Sequence, residues 1–215
     1  MEVLQYDVAI VGAGLAGLRA AIEVSRVTKG KLRVALISKT HPIRSHSVCA
    51  QGGTAAVLSP EDNFDLHAWD TVKGSDFLAD QDAVEFFVKM CPLEMIQLEH
   101  WGMPWSRREN GEIAQRPFGG HSYPRAVFAS DKTGFFEMAT LYDTLLKYDN
   151  VDVLYEWFVT GILLTEDKSF SGFTTLNMSD GNFYVIAAKA GIMATGGGAR
   201  VYKFTTFSHS STGDG

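Results

Sequence analysis

The chain has 215 residues, 46% of them apolar and 20% charged, an ordinary globular composition with length for one substantial core. A formal net charge of −6 gives no reason to expect nucleic acid as a partner. No run of about 18 apolar residues is available to span a membrane, and Met1–Gln5 lacks the charged-then-apolar pattern of a signal peptide. Cys49 and Cys91 form neither a metal spacing nor a disulfide framework, so a reducing, cytoplasmic setting is expected.

Val8-Ala9-Ile10-Val11 reads as a buried parallel strand. It runs into Gly12-Ala13-Gly14-Leu15-Ala16-Gly17, a G-x-G-x-x-G, and then into a helix that lasts to about Val27. Gly12 suits the tight turn, Gly14 a close approach of pyrophosphate, and Gly17 close helix–strand packing. The helix start offers free N–H groups and a positive dipole end to phosphate, so dinucleotide binding is expected. Arg33–Ser38 reads as the second parallel strand. An ordinary NAD site wants an acidic residue at its end, about 20 residues on; Ser38 and Lys39 stand there instead.

His41–Val57 is a loop of small and hydrogen-bonding residues, with Gly52-Gly53 suited to backbone lying on a flat ligand. A helix is expected from about Asn63 to Lys73, with Phe64, Ala68, Thr71 and Val72 inward. Asp80 caps a second one over Gln81–Met90, and Pro92 opens a third that ends after Trp101. Cys91 falls on an apolar stripe and reads as an inert core thiol. Gly102–Val127 is irregular apart from an Asn110-Gly111 hairpin signal. Arg107, Arg108, Arg116 and Arg125 are read as either a solvated face or an attractor for a small dicarboxylate or a partner. Asp131 is expected to cap a helix through Lys147. Val151–Tyr155 reads as a third parallel strand. A meander follows over Phe158–Leu164, Phe173–Met178 and Phe183–Ala188, then a separate return strand Ala190–Ala194. The chain stops at Thr212-Gly213-Asp214-Gly215, which reads as a fragment of a longer protein. The fold class is therefore α/β: a Rossmann-like FAD-binding domain over residues 1–215, with a parallel sheet plus an antiparallel β-meander.

Several stretches in order carry a resemblance. They are Val11–Ala21, Leu36–Lys39, Arg44-Ser45-His46-Ser47 with Ala50-Gln51-Gly52-Gly53, Asp70–Asp76, Trp101–Arg107, Gln115–Gly120, Asp131–Gly134, Ala194–Gly197 and Thr212–Gly215. On these the chain resembles the flavoprotein subunit of succinate dehydrogenase and fumarate reductase along its whole length. The resemblance implies FAD, bound covalently by His46 through the flavin 8α carbon. A neutral imidazole can attack that carbon, and an ordinary histidine supplies one at pH 7. It implies pyrophosphate on Gly12–Ala16, adenosine contacts from Ser38 and Lys39, and an isoalloxazine lined by Ser45–Gly53, among them Ser47, Gln51, Gly52 and Gly53. Phe158, Val159 and Thr160 match an adenine-side segment. Thr195, Gly196 and Asp214 match the far side of the cofactor, and Phe118 and Gly52 match positions beside the dicarboxylate. The implied reaction is succinate/fumarate interconversion, with electrons passed to an iron–sulfur subunit held by membrane anchor subunits. That places the protein on the cytoplasmic side of the inner membrane, or the mitochondrial matrix side in a eukaryote. In this family the dicarboxylate clamp follows the G-D-G motif, so the chain alone is expected to be inactive. Gln51 in A-Q-G-G leans toward the dehydrogenase. The alternatives are an L-aspartate oxidase-like flavoenzyme, against which Arg44-Ser45-His46 speaks, a non-catalytic cofactor-binding module, and a structural NAD-type domain.

Overall fold

The opening strand is longer than its apolar run: β1 covers Glu2–Val11 in a computed structural model that describes residues 2–215. The turn at Gly12–Gly14 leads into α1 (Leu15–Thr28), and β2 (Val34–Ser38) returns parallel to β1. The chain divides into two units, Met1–Val48 with Leu141–Gly215, and Cys49–Thr140.

In the first unit, β6 (Val151–Tyr155) lies parallel to β2, as its apolar run predicts. The meander is β7 (Trp157–Leu164), β8 (Phe170–Asn177) and β9 (Phe183–Met193). Hydrogen bonding joins all six strands in the order β6-β2-β1-β9-β8-β7. The expected break near Lys189 is absent, and β9 is one strand. It pairs antiparallel to β8 while running parallel to β1 from Tyr184 to Met193. Lys189 does not end the strand because its side chain reaches solvent and pairs with Asp7 at 2.7 Å. The alternation of β1 and β2 has two buried destinations. Ala9, Val11, Ala35 and Ile37 pack with Phe173 and Ile186 of the meander. The other set includes Leu36, which lies beside α1 near Gly17.

In the second unit, short strands β3 (Thr54–Ala55), β4 (Gln115–Arg116) and β5 (Ala126–Val127) form a small antiparallel sheet. The Asn110-Gly111 turn is present, closed by an Arg107–Ile113 bridge. Helix α2 (Phe64–Gly74) is capped by Asn63, but its buried residues are His67 and Asp70, while Phe64 is exposed. Helix α3 runs unbroken over Gln81–His100 with Pro92 inside it. Pro92 removes one helical N–H donor, yet Val84, Val88, Cys91, Met95 and Leu98 continue one buried stripe across it. Tertiary burial outweighs the local helix-breaking preference there. Helix α4 (Thr133–Leu145) starts two residues after Asp131, and the Thr133 hydroxyl accepts from the Ala129 amide. Burial pushes the Cys91 thiol up to about 11, with Glu94 adding to it, consistent with an inert core thiol.

Candidate functional site

The carboxyl ends of β1, β2 and β9 open onto a cleft of about 250 Å³ inside the first unit, the place where parallel α/β sheets bind ligands. Thirteen of the expected residues line it: Gly12, Ala13, Gly14, Ser38, Lys39, Ser45, His46, Ser47, Phe158, Val159, Thr195, Gly196 and Asp214. Chain segments far apart in sequence thus converge on one cleft. Leu15, Ala16 and Gly17 form the first turn of α1 and do not line the wall. Thr160 sits at a register shift in β7 and bonds the Thr174 hydroxyl at 2.9 Å, outside the lining. Its place is taken by Trp157, which the sequence reading missed.

Two glycines are demanded by protein packing. Gly12 has φ +105°, and a Cβ there would run into the Ala194 carbonyl; a Cβ on Gly17 would overlap the Gly12 carbonyl. At Gly14 a Cβ would meet only side-chain atoms at ordinary contact distance, Ser47 Oγ at 3.4 Å and Ser45 at 3.9 Å, so what requires glycine there is not the protein's own backbone. Gly14 is also the N-cap of α1, with no side-chain cap and no acidic residue in the first turn. The nearest partner is Ser47 Oγ, 3.5 Å from the Leu15 amide. These orphan N–H groups and the positive dipole end suit a pyrophosphate. Trp157, Phe158, Val159 and Met193 supply apolar wall, so the residues fit both halves of a dinucleotide.

Lys39 and Asp214, which the sequence reading set on opposite sides of a cofactor, are paired in the structure. Lys39 Nζ donates to the Asp214 carboxylate and to the Thr212 hydroxyl. Lys39, followed by Thr212, holds the Asp214 carboxyl below the usual range. His46 occupies a short 3₁₀ turn, His46–Cys49. Its ring stacks on Phe207, centroids 4.3 Å apart and planes 16° off parallel. Its Nδ1 accepts from the Ser208 amide at 3.3 Å. Neither Phe207 nor Ser208 lies in a recognisable sequence pattern.

Gln51, Gly52, Gly53 and Phe118 belong to the second unit. Arg116 donates to the carbonyls of Gln51, at 2.7 Å, and Gly52, at 3.0 Å. The Phe118 ring lies on Gly52, where a Cβ would come within 2.5 Å of a ring carbon. Gly53, at φ +113°, backs onto the Val127 carbonyl. Thr54 Oγ1 donates to Glu137 at 2.5 Å, and burial raises the Glu137 carboxyl despite that bond.

The arginine cluster does not form a free cationic patch. Arg125 is fully buried and bidentate to Asp62, at 2.8 and 2.9 Å. It also bonds Asp70, whose carboxylate accepts from the Ser122 amide and hydroxyl at 2.7 and 2.6 Å. Burial works to raise Asp62, but Arg125 and the Asn63 amide outweigh it. Asp70 is likewise buried, and Ser122 and Arg125 hold it low. Beside them burial, then Arg125, lowers His67 to about 4, so it is neutral at pH 7. Arg107 pairs with Glu99, Arg108 faces Glu112 at 3.9 Å, and Arg116 holds backbone carbonyls. Apart from the local Arg108–Glu112 pair, these partners lie far apart in sequence or on the backbone, so spacing does not show them.

Among the described residues no His/Cys/Asp/Glu group is arranged to hold a metal, and no helix is long and apolar enough to cross a membrane. Residues 7–215 match the family described as FAD binding domain. The fumarate reductase flavoprotein subunit of Proteus vulgaris is 49% identical over 215 residues, covering 100% of this chain and 36% of that protein. The succinate dehydrogenase flavoprotein subunit of Rickettsia conorii is 42% identical over 221 residues, covering 98% and 36%. A solved Escherichia coli quinol fumarate reductase superposes with a TM-score of 0.94 at 46% identity, over 98% of this chain and 36% of that one. The chain therefore spans about a third of the length of these relatives. With that match over residues 7–215, the chain belongs to the FAD binding domain family, and along its whole length it is similar to fumarate reductase and succinate dehydrogenase flavoprotein subunits.

Proposed function

We propose that the chain is the FAD-holding part of an oxidoreductase that interconverts succinate and fumarate and passes electrons to an iron–sulfur subunit. The observation that carries the reading is the end-to-end 49% identity to a fumarate reductase flavoprotein subunit, with thirteen expected residues on one cleft. Bound FAD supplies two-electron acceptance and donation, which no side chain offers. The turn Gly12–Ala16, whose Gly12, Ala13 and Gly14 face the cleft, receives the pyrophosphate, and Ser38 the adenosine side, with Phe158 and Val159 as its apolar wall. Thr195 and Gly196 close the opposite edge. The Lys39–Asp214 pair ties the C-terminal segment to β2 rather than offering a free charge to phosphate.

His46 forms the covalent link. The Ser208 amide engages Nδ1, which leaves Nε2 as the ring nitrogen for the bond. Gln51–Gly53 carry backbone against the flavin, and Phe118 on Gly52 forms an apolar contact for the dicarboxylate. The Proteus vulgaris fumarate reductase subunit shares more residues with the chain than the Rickettsia conorii succinate dehydrogenase subunit, 49% against 42%. That supports fumarate reduction over the succinate oxidation that Gln51 alone suggests. The assembled protein sits with membrane anchor subunits on the cytoplasmic side of the inner membrane, or the matrix side of a mitochondrion.

The test uses dye-linked assays in both directions. The 215-residue chain by itself should bind FAD and turn over neither dicarboxylate. Carried in a polypeptide of the relatives' length, the same sequence should reduce fumarate or oxidise succinate. Oxidation of L-aspartate instead, with FAD released on denaturation, would overturn the reading in favour of an aspartate oxidase-like enzyme.

A further inference from the structure

His46 makes two contacts, and each removes a different freedom of its ring. Phe207 lies nearly parallel to the imidazole, 4.3 Å away and 16° off plane, which fixes the ring's plane. The Ser208 amide donates to Nδ1 at 3.3 Å, which fixes rotation within that plane and the tautomer, because an N–H donor needs a lone pair at Nδ1. The bond at Nδ1 leaves Nε2 as the ring nitrogen for the flavin carbon. Ser208 is itself anchored: its Oγ is 2.8 Å from Ser210 Oγ, and its carbonyl accepts from the Ser211 amide at 3.1 Å. The segment is tied on through Thr212 and Asp214 to Lys39. Nearby apolar residues Val201, Tyr202 and Phe204 are 70% or more exposed; Phe207 differs in having a ring to lie on.

We propose that Phe207 and the Ser208 amide are positioning residues that preorganise His46 for attachment of the flavin. This rests on the covalent FAD reading above. The net step joins an imidazole nitrogen to the flavin methyl carbon. One C–H and one N–H bond break: the methyl carbon gives one proton to water, Nε2 gives its own proton to water as it bonds that carbon, and two electrons pass to an external acceptor such as fumarate or dioxygen. After it the imidazole is neutral with Nδ1 as its remaining lone pair, the state the Ser208 amide already favours. A ring held in place beforehand loses less freedom when the bond forms.

The test has an arm without flavin and an arm with it. In the flavin-free chain, long-range ¹H–¹⁵N spectra should show His46 as the Nε2–H tautomer, with ring protons shielded by Phe207. Phe207→Ala should abolish the shielding. The Nδ1–H tautomer, or ring shifts unchanged in the variant, would overturn the proposal. In the second arm, wild type, Phe207→Ala, Phe207→Leu and Phe207→Tyr are incubated with FAD and fumarate. Covalent flavin is read by fluorescence on a denaturing gel, and total flavin by absorbance. Phe207→Ala and Phe207→Leu should link FAD roughly tenfold more slowly or worse while still binding it, and Phe207→Tyr should match wild type. Leu keeps the apolar bulk, so a folding defect in the Ala variant alone would not decide the matter. Linkage at the wild-type rate in the Leu variant would overturn the proposal. Absence of covalent flavin in wild type would instead sink the covalent reading, and the spectra would still judge how His46 is held.

Discussion

Replacing Arg125 with methionine should be among the most damaging single changes to the second unit. The guanidinium is completely buried, and its two carboxylate partners expose only 1% and 4% of their side chains. Removing one member of a buried ion-pair network costs about 3–5 kcal/mol, because the remaining charges stay desolvated. For a chain of this size that lowers Tm by roughly 6–20 °C. The pH dependence gives a sharper signature. In wild type Asp62 and Asp70 are held below their ordinary value of 3.8. Their stabilisation is therefore fully present above about pH 4 and is lost only as pH falls through the lowered values. In Arg125→Met the Asn63 amide at Asp62 and the Ser122 donors at Asp70 still oppose burial, but the guanidinium no longer does, so both carboxyls rise relative to wild type, and the deficit is largest near pH 7 and shrinks as acid neutralises them. Asp62→Asn and Asp70→Asn, added to Arg125→Met, should recover much of the loss at pH 7. Urea titrations from pH 4 to 8 can be followed by Trp105, which is buried in the same unit and donates to the Met95 carbonyl at 3.1 Å. A deficit below about 1 kcal/mol at pH 7, or one that does not change with pH, would refute the reasoning.

Three further outcomes follow from other groups. Gly17→Ala should prevent the α1–β1 turn from closing, because its Cβ overlaps the Gly12 carbonyl; a variant that binds FAD with wild-type affinity by fluorescence titration would contradict this. Glu137 is raised by burial from 4.5, so the stability it contributes is present at acid pH and lost as pH rises through its folded value. Glu137→Gln should therefore gain on wild type in denaturation at pH 8 and lose that advantage at pH 4. His67 falls from 6.5 to about 4, so its contribution is intact above pH 6.5 and lost toward pH 4; the loss over that window, measured by urea titration, should be smaller in His67→Phe.

Local signals in the sequence were enough for the turn at Gly12–Gly17, the parallel strands and the meander turns. Glycine at Gly12 and Gly17 is set by backbone approach, and the strand runs by burial on two faces. The misreadings share a non-local cause. Pro92 looks like a helix start, but its helix continues because the stripe from Val84 to Leu98 is buried on both sides of it. Lys189 looks like a break, but a strand paired to β1 can hold a lysine that reaches Asp7. Of the four arginines, Arg107 and Arg108 lie on a solvated face as one reading has it, but the partners of Arg116 and above all of Arg125, Asp62 and Asp70, are ones that spacing cannot reveal. The motif resemblance points to His46; what surrounds it was not legible. Phe207 is 161 residues away in the chain and carries no periodicity or motif of its own.

The central claim is that His46 carries FAD, and the intact mass of the denatured, flavin-loaded chain tests it most directly. The account predicts a mass increase of one FAD that maps to the peptide containing His46 and disappears in His46→Ala, with bound flavin then released on denaturation. Flavin released from wild type on denaturation, or a link that maps to His41 or any other residue, would contradict it.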